Sequence, residues 1–149
     1  MFFTKYVEKM LLITGIGTSA ALAYAFFPQW AVNNIGQLPY LEQDFIFYQH
    51  WGIMVGMMGV MMIGAAFKPQ WRQSIMLYSA IEKGFMVSLL LTNLGNPHIN
   101  GFILAGVMDT VVVLWTLGYW WEQKRATDVS IAIRLEAEMG NVNLYATLD

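Results

Sequence analysis

Three ionisable side chains interrupt otherwise apolar stretches of this 149-residue sequence: Glu82, Lys83 and Asp109. Charged groups are costly inside a lipid bilayer, so within a spanning helix they usually face the interior of a helix bundle or a wet cavity. Glu82 and Lys83 are adjacent and would point about 100° apart on a helix, so neither is the other's best partner. Lys83 and Asp109 fall at similar depths on two consecutive apolar stretches joined by a short turn. We therefore predict that Lys83 pairs with Asp109.

The second carboxylate, Glu82, could contact Tyr78 or Ser79 one helical turn earlier, contact the first or second apolar stretch, or stay uncharged. The charged trio has three interpretations: a network that fixes how the helices pack, a pocket for a quinone or lipid that also includes His50, or a path for protons or ions. Glu82 and Asp109 are the one carboxylate pair available for acid–base work. Because no catalytic triad, phosphate loop or zinc motif is recognisable, a non-catalytic role is favoured over an enzyme.

A second row of candidate ligands runs along the second apolar stretch, where His50, Met54, Met58 and Met62 follow one another at a spacing of four. Thioether sulfurs bind copper(I), so His50, Met54 and Met58 could form a copper site. Methionine also fills irregular apolar contacts. Since no other His or Met cluster accompanies this row, packing is the favoured interpretation and no metal site is predicted.

The elements that must position these residues are four apolar stretches, at about residues 10–27, 45–67, 74–94 and 101–121. Each is about as long as a helix needs to be to cross a bilayer core of about 30 Å. Open sheets cannot satisfy their edge groups in lipid, and four strands cannot close a barrel. With 57% hydrophobic and 12% charged residues, the sequence predicts an all-α membrane protein: a four-helix transmembrane bundle over residues 1–125 and a tail over residues 126–149.

The positions of the basic residues predict the orientation of the chain in the membrane. They flank the spans at the two termini and in the connection between spans two and three, whereas residues 28–44 and 95–100 have no Lys or Arg. Cytoplasmic loops carry an excess of Lys and Arg. We therefore predict a multi-pass protein, in a bacterial cytoplasmic membrane, with both termini in the cytoplasm.

One face of the second span is rich in glycine. Gly52, Gly56 and Gly59 fall together at about 100° per residue and include a Gly-x-x-x-Gly pair. Small residues let helix backbones approach closely in membranes. This face is expected to pack against a neighbouring helix.

The tail alternates apolar and polar residues from Val129 to Met139, and again after Gly140-Asn141. Alternation around a two-residue turn is typical of a β-hairpin. The alternative is a short helix over residues 128–139 ended by Gly140, since Ala, Leu, Glu and Met favour helix. Because Glu136 would interrupt the apolar arc of that helix, the hairpin is the favoured interpretation.

Several short motifs give residues 11–121 a resemblance to small DoxX-like four-helix membrane proteins. They are a long polar connection after the first span, the run Tyr48-Gln49-His50-Trp51-Gly52, Arg72 at the start of the third span and Asp109 in the fourth. The resemblance implies a four-helix membrane fold. It also suggests a link to the quinone-dependent sulfur oxidation with which some members of that group are associated.

These observations favour a non-catalytic integral membrane subunit of a larger or homo-oligomeric assembly, built around the Lys83, Asp109 and Glu82 network. The alternatives are a quinone- or lipid-binding component of an oxidoreductase and a small transporter or proton pathway. Expected partners are membrane lipids and other membrane subunits or copies of the chain. The sequence has no basic cluster that would suggest nucleic acid as a partner, and the absence of cysteine excludes disulfides.

Overall fold

A computed structural model describes the backbone of residues 1–146 and the side chains of residues 1–136, and this part of the chain is helical without strands. Six α-helices follow one another: α1 (Phe2–Ser19), α2 (Leu22–Phe26), α3 (Pro28–Asn34), α4 (Phe45–Phe67), α5 (Pro69–Thr92) and α6 (Ile103–Ala146). Short 3₁₀ helices at Glu42–Asp44 and Pro97–Phe102 precede α4 and α6. Four segments are long and apolar enough to cross a membrane, as the sequence predicts: Phe2–Phe26, Glu42–Phe67, Pro69–Thr92 and Pro97–Glu136.

Two prolines mark the boundaries between consecutive helices. Pro28 is the first residue of α3 and Pro69 is the first residue of α5. Proline suits this position because it lacks the N–H that the first turn leaves unbonded, and it pushes the preceding residue away from helical geometry. Phe27 and Lys68 accordingly lie outside the α region, so that a single residue connects α4 to α5.

The four spanning segments form a closed ring of neighbours. α4 lies against α1, α2 and α5, and α6 lies against both α5 and α1. Apolar side chains from all four segments meet in the core, among them Val7, Leu11, Met62, Met76 and Val112. Helices that follow one another in sequence are therefore neighbours in the bundle, and the ring closes where α6 meets α1.

The glycine face of α4 lies against α1 and α2. A Cβ atom added to Gly59 would approach the backbone nitrogen of Ser19 to 2.4 Å, and one added to Gly52 would approach the backbone nitrogen of Ala25 to 2.5 Å. At Gly56 the same atom would come within 2.5 Å of Leu22 Cγ. The three glycines predicted as a packing face thus lie where the first span comes too close for any larger residue.

Arg72 fixes one end of the bundle. Its Nε donates to the carbonyl of Ala65 at 3.1 Å, and its Nη2 donates to the carbonyl of Ala66 at 2.7 Å and to Glu8 at 2.8 Å. The last carbonyls of a helix have no partner within the helix. Arg72 therefore closes the C-terminus of α4 and also ties it to α1.

At the same end, Glu122 of α6 caps the start of α1. Its Oε1 accepts a hydrogen bond from the Phe3 N–H at 3.1 Å, and its Oε2 accepts from the Thr4 N–H at 2.8 Å and the Thr4 hydroxyl at 2.9 Å. The first N–H groups of a helix lack intrahelical partners and carry a partial positive charge. A buried carboxylate from a distant helix satisfies them here.

The prediction of a β-hairpin in the tail is wrong. α6 continues without a break through Asp128, Met139 and Gly140 to Ala146, so the alternative helix also runs past the glycine that was expected to end it. Extending an existing helix avoids the unfavourable nucleation step, because each added residue makes one more backbone hydrogen bond. A hairpin would have to form separately and is marginal in isolation. The free-energy cost of starting a separate hairpin therefore favours continuation of α6, despite the alternating pattern of the sequence.

Candidate binding site

Lys83 and Asp109 form the ion pair that the sequence predicts. Lys83 Nζ lies 2.6 Å from Asp109 Oδ1. Both residues are buried, with 2% of Lys83 and 5% of Asp109 exposed. A lysine ammonium and a carboxylate in hydrogen-bond contact largely offset the cost of removing both charges from water. The pair holds α5 against α6.

Glu82 has no comparable partner. Its Oε2 is buried and makes no hydrogen bond, and it lies 3.7 Å from Lys83 Nζ, beyond hydrogen-bond distance. Neither contact considered for it one turn earlier is formed, because Ser79 donates to the sulfur of Met58 at 3.1 Å and Tyr78 is exposed. A buried carboxylate oxygen is thus left with its hydrogen-bonding capacity unused.

The three charged residues line a cavity of about 130 Å³ between the first span, α4, α5 and α6. The first span contributes Thr18 and Tyr24, α4 contributes Trp51, and the loop region before α6 contributes Phe102. Ala105 and Met108 of α6 complete the wall next to Asp109. Glu82, Lys83 and Asp109 therefore border an internal cavity and are not surrounded on every side by packed side chains.

Thr18 supplies a second unbonded polar atom to this cavity. The residue is 3% exposed, and its hydroxyl has no hydrogen-bond partner. Thr14 and Thr116, in contrast, each donate to the carbonyl four residues earlier. Among the described residues three buried side-chain polar atoms lack partners, namely those of Thr18, Glu82 and Trp120. Two of the three belong to residues that line the same cavity.

Aromatic rings form another part of the cavity wall. The rings of Tyr24 and Trp51 lie nearly perpendicular with their centroids 4.9 Å apart, and those of Trp51 and Phe102 lie nearly perpendicular at 6.4 Å. The same three rings also border a neighbouring apolar cavity of about 350 Å³, together with Leu38 and Tyr48. The charged cavity therefore lies next to a larger one suited to an apolar group, and the two share these rings.

The other residues singled out from the sequence lie elsewhere. His50 and Met54 are exposed on the surface of α4, whereas Met58 is buried in the core and accepts the hydrogen bond from Ser79. Tyr78 is exposed on α5. The row proposed for copper is therefore divided between the outer surface and the core. Within the part of the chain that the structure describes, His, Asp and Glu residues form no group of three that could hold a metal ion.

Sequence reasoning missed the uncharged part of the site. Thr18 and Tyr24 looked like ordinary residues of an apolar helix, and Phe102 lies beside a connection whose path was unknown. A signal did exist for Thr18 and Trp51, since each lies close to the residues of the Gly-rich contact between the first two spans. That contact brings Tyr24 against Gly52, directly after Trp51.

The arrangement offers a ligand mostly hydrogen-bond acceptors and aromatic surface. Asp109 already neutralises Lys83, so the unused groups are the Glu82 oxygen and the Thr18 hydroxyl. These groups can hold and orient a polar group but include no activated nucleophile. Comparison of the chain with protein-family models, with curated proteins and with solved structures gave no match.

Proposed function

We propose that this protein is a multi-pass membrane protein that binds a small amphipathic molecule, such as a quinone or a lipid, without transforming it. The observation that carries the proposal is that Glu82 and Thr18, each with an unbonded buried polar atom (Oε2 and Oγ1), line the same cavity. Leaving a buried polar group unbonded costs about 1–3 kcal/mol. A ligand that bonds both atoms recovers that free energy.

The walls support an amphipathic ligand. The charged cavity has few polar side chains among its lining residues, and the neighbouring cavity is lined almost wholly by apolar and aromatic residues. Binding sites for small molecules typically combine an apolar lining with a few placed polar groups. The polar end of the ligand would contact Glu82 and Thr18, and its apolar part would lie between the rings of Trp51 and Phe102.

A variant with a filled cavity tests this proposal. Ala105→Phe places a ring where Ala105 now lines the cavity, whereas Ala126→Phe adds the same ring on an exposed part of α6. We expect native mass spectrometry of protein released directly from membrane fragments to show a small-molecule adduct on the wild type and on Ala126→Phe, and none on Ala105→Phe. Identical adducts on all three proteins would refute a ligand in this cavity.

We also propose that both termini face the cytoplasm. The bundle brings Lys5, Lys9, Lys68 and Lys124 to one end, because helices adjacent in the ring run in opposite directions. Since the chain has no cysteine, single cysteines report topology without background. Cysteine at Asn34 or Asn96 should react with an impermeant reagent from outside intact cells, and cysteine at Gln73 or Thr127 should not. Labelling at position 73 from outside would reverse the orientation.

A further inference from the structure

The charges that line the cavity do not balance. Its charged residues are Glu82, Lys83 and Asp109, which provide two carboxylates against one ammonium. Lys83 Nζ lies 2.6 Å from Asp109 Oδ1 and 3.7 Å from Glu82 Oε2, so one ammonium serves two carboxylates and one negative charge of the cluster stays unmatched. A net charge buried within a membrane bundle is unfavourable unless a counter-charge accompanies it.

The neutral walls of the cavity are also suited to a positive group. Tyr24, Trp51 and Phe102 line the same space as the three charged residues, with adjacent rings nearly perpendicular. An ammonium placed over an aromatic face is attracted by about 0.5–2 kcal/mol, with the larger values for desolvated sites. The combination of several rings with an excess carboxylate is the chemistry that recognises organic ammonium groups.

From these two observations we propose that the polar end of the ligand is an organic cation, an amine or quaternary ammonium, held between Glu82 and the rings of Tyr24, Trp51 and Phe102. This inference rests on the proposed function and specifies its ligand. A phosphate or carboxylate group would instead face an unpaired carboxylate oxygen. An uncharged hydroxyl would bond Glu82 but leave its charge unmatched.

Three probes that share a benzyl group separate these cases: benzyltrimethylammonium, benzyl alcohol and phenylacetate. Binding is measured by calorimetry on the full chain in lipid nanodiscs, with empty nanodiscs subtracted. We expect benzyltrimethylammonium to bind about tenfold more tightly than benzyl alcohol, as the strength of desolvated cation–π contacts implies. Phenylacetate should bind weakest of the three.

Substitutions identify the residues that cause the preference for the cation. Glu82→Gln keeps the shape of the side chain but removes its charge, so it should reduce the difference between benzyltrimethylammonium and benzyl alcohol to the part that the aromatic rings supply. Glu136→Gln removes the same charge from an exposed position of α6 and should leave the difference unchanged. Trp51→Leu should weaken binding of the cation about fivefold with a smaller effect on the alcohol, and Trp51→Phe should restore part of the loss.

The outcomes distinguish this inference from the proposed function. If benzyl alcohol or phenylacetate binds as tightly as the cation, and Ala105→Phe abolishes that binding, the cavity binds ligands but the cation inference is wrong. If none of the three probes binds the wild type, the cation inference is overturned, and the adduct comparison between the wild type and Ala105→Phe decides the proposed function. A cation preference that is undiminished in Glu82→Gln would also overturn the inference.

Discussion

Two glutamates of this bundle, Glu122 and Glu82, show how differently a membrane protein can use the same side chain. Both oxygens of Glu122 accept hydrogen bonds from the first turn of α1. One oxygen of Glu82 is buried beside a cavity without any hydrogen bond. Glu122 therefore joins two helices, whereas one oxygen of Glu82 has no hydrogen-bond partner within the described chain. The two carboxylates differ in how much of their hydrogen-bonding capacity the protein itself uses.

The Lys83–Asp109 pair should show a larger effect on stability than either glutamate. Removing one member of a buried pair typically costs about 3–5 kcal/mol, because the other charge is left uncompensated. We expect Lys83→Met and Asp109→Leu each to lower the thermal unfolding temperature strongly in mild detergent. The double variant should recover much of the loss. Losses that simply add would show that the two side chains do not act as partners.

Glu122 should show an intermediate effect. Glu122→Gln keeps one acceptor oxygen but removes the charge that faces the start of α1, and we expect it to lower the free energy of unfolding by about 1–2 kcal/mol. Unfolding of purified protein, followed by helical circular dichroism, measures this change. Glu136→Gln on the exposed part of α6 is the control. A Glu122 variant as stable as that control would mean that the cap contributes nothing.

Glu82 should show the smallest effect on stability. Because Glu82 Oε2 has no hydrogen-bond partner, Glu82→Gln should change the free energy of unfolding of the ligand-free protein by less than about 1 kcal/mol and leave the bundle intact. The same unfolding measurement compares it directly with Glu122→Gln. A loss at Glu82 equal to that at Glu122 would remove the distinction between the two glutamates.

The sequence was sufficient to predict the four spans and the Lys83–Asp109 pair. Charges are so costly in apolar helices that their few positions are informative, and the short connection between α5 and α6 makes those helices neighbours. The glycine face of α4 was predictable for a similar reason, because Gly52, Gly56 and Gly59 share one side of the helix. Strong local constraints leave few arrangements open.

The remaining features depend on where distant parts of the chain meet. The contact between Glu122 and Thr4 joins positions 118 residues apart, and no local pattern indicates which helix ends coincide. The unused hydroxyl of Thr18 was hidden because threonine in a helix usually donates to its own backbone, as Thr14 does. The prediction for the tail was wrong for the opposite reason. It relied on a local alternation of apolar and polar residues, whereas α6 already extends through Asp128 and continues from there.

The length of α6 gives the bundle a mechanical property. One unbroken helix carries Asp109 at the cavity and continues past Glu122 through residues whose side chains, as far as Glu136, are exposed. At 1.5 Å per residue, Glu136 lies about 40 Å along the axis from Asp109. A tilt of α6 by about 5° at the ion pair would therefore displace Glu136 by about 3.5 Å. A small rearrangement around Lys83 is thereby converted into a large displacement outside the bundle.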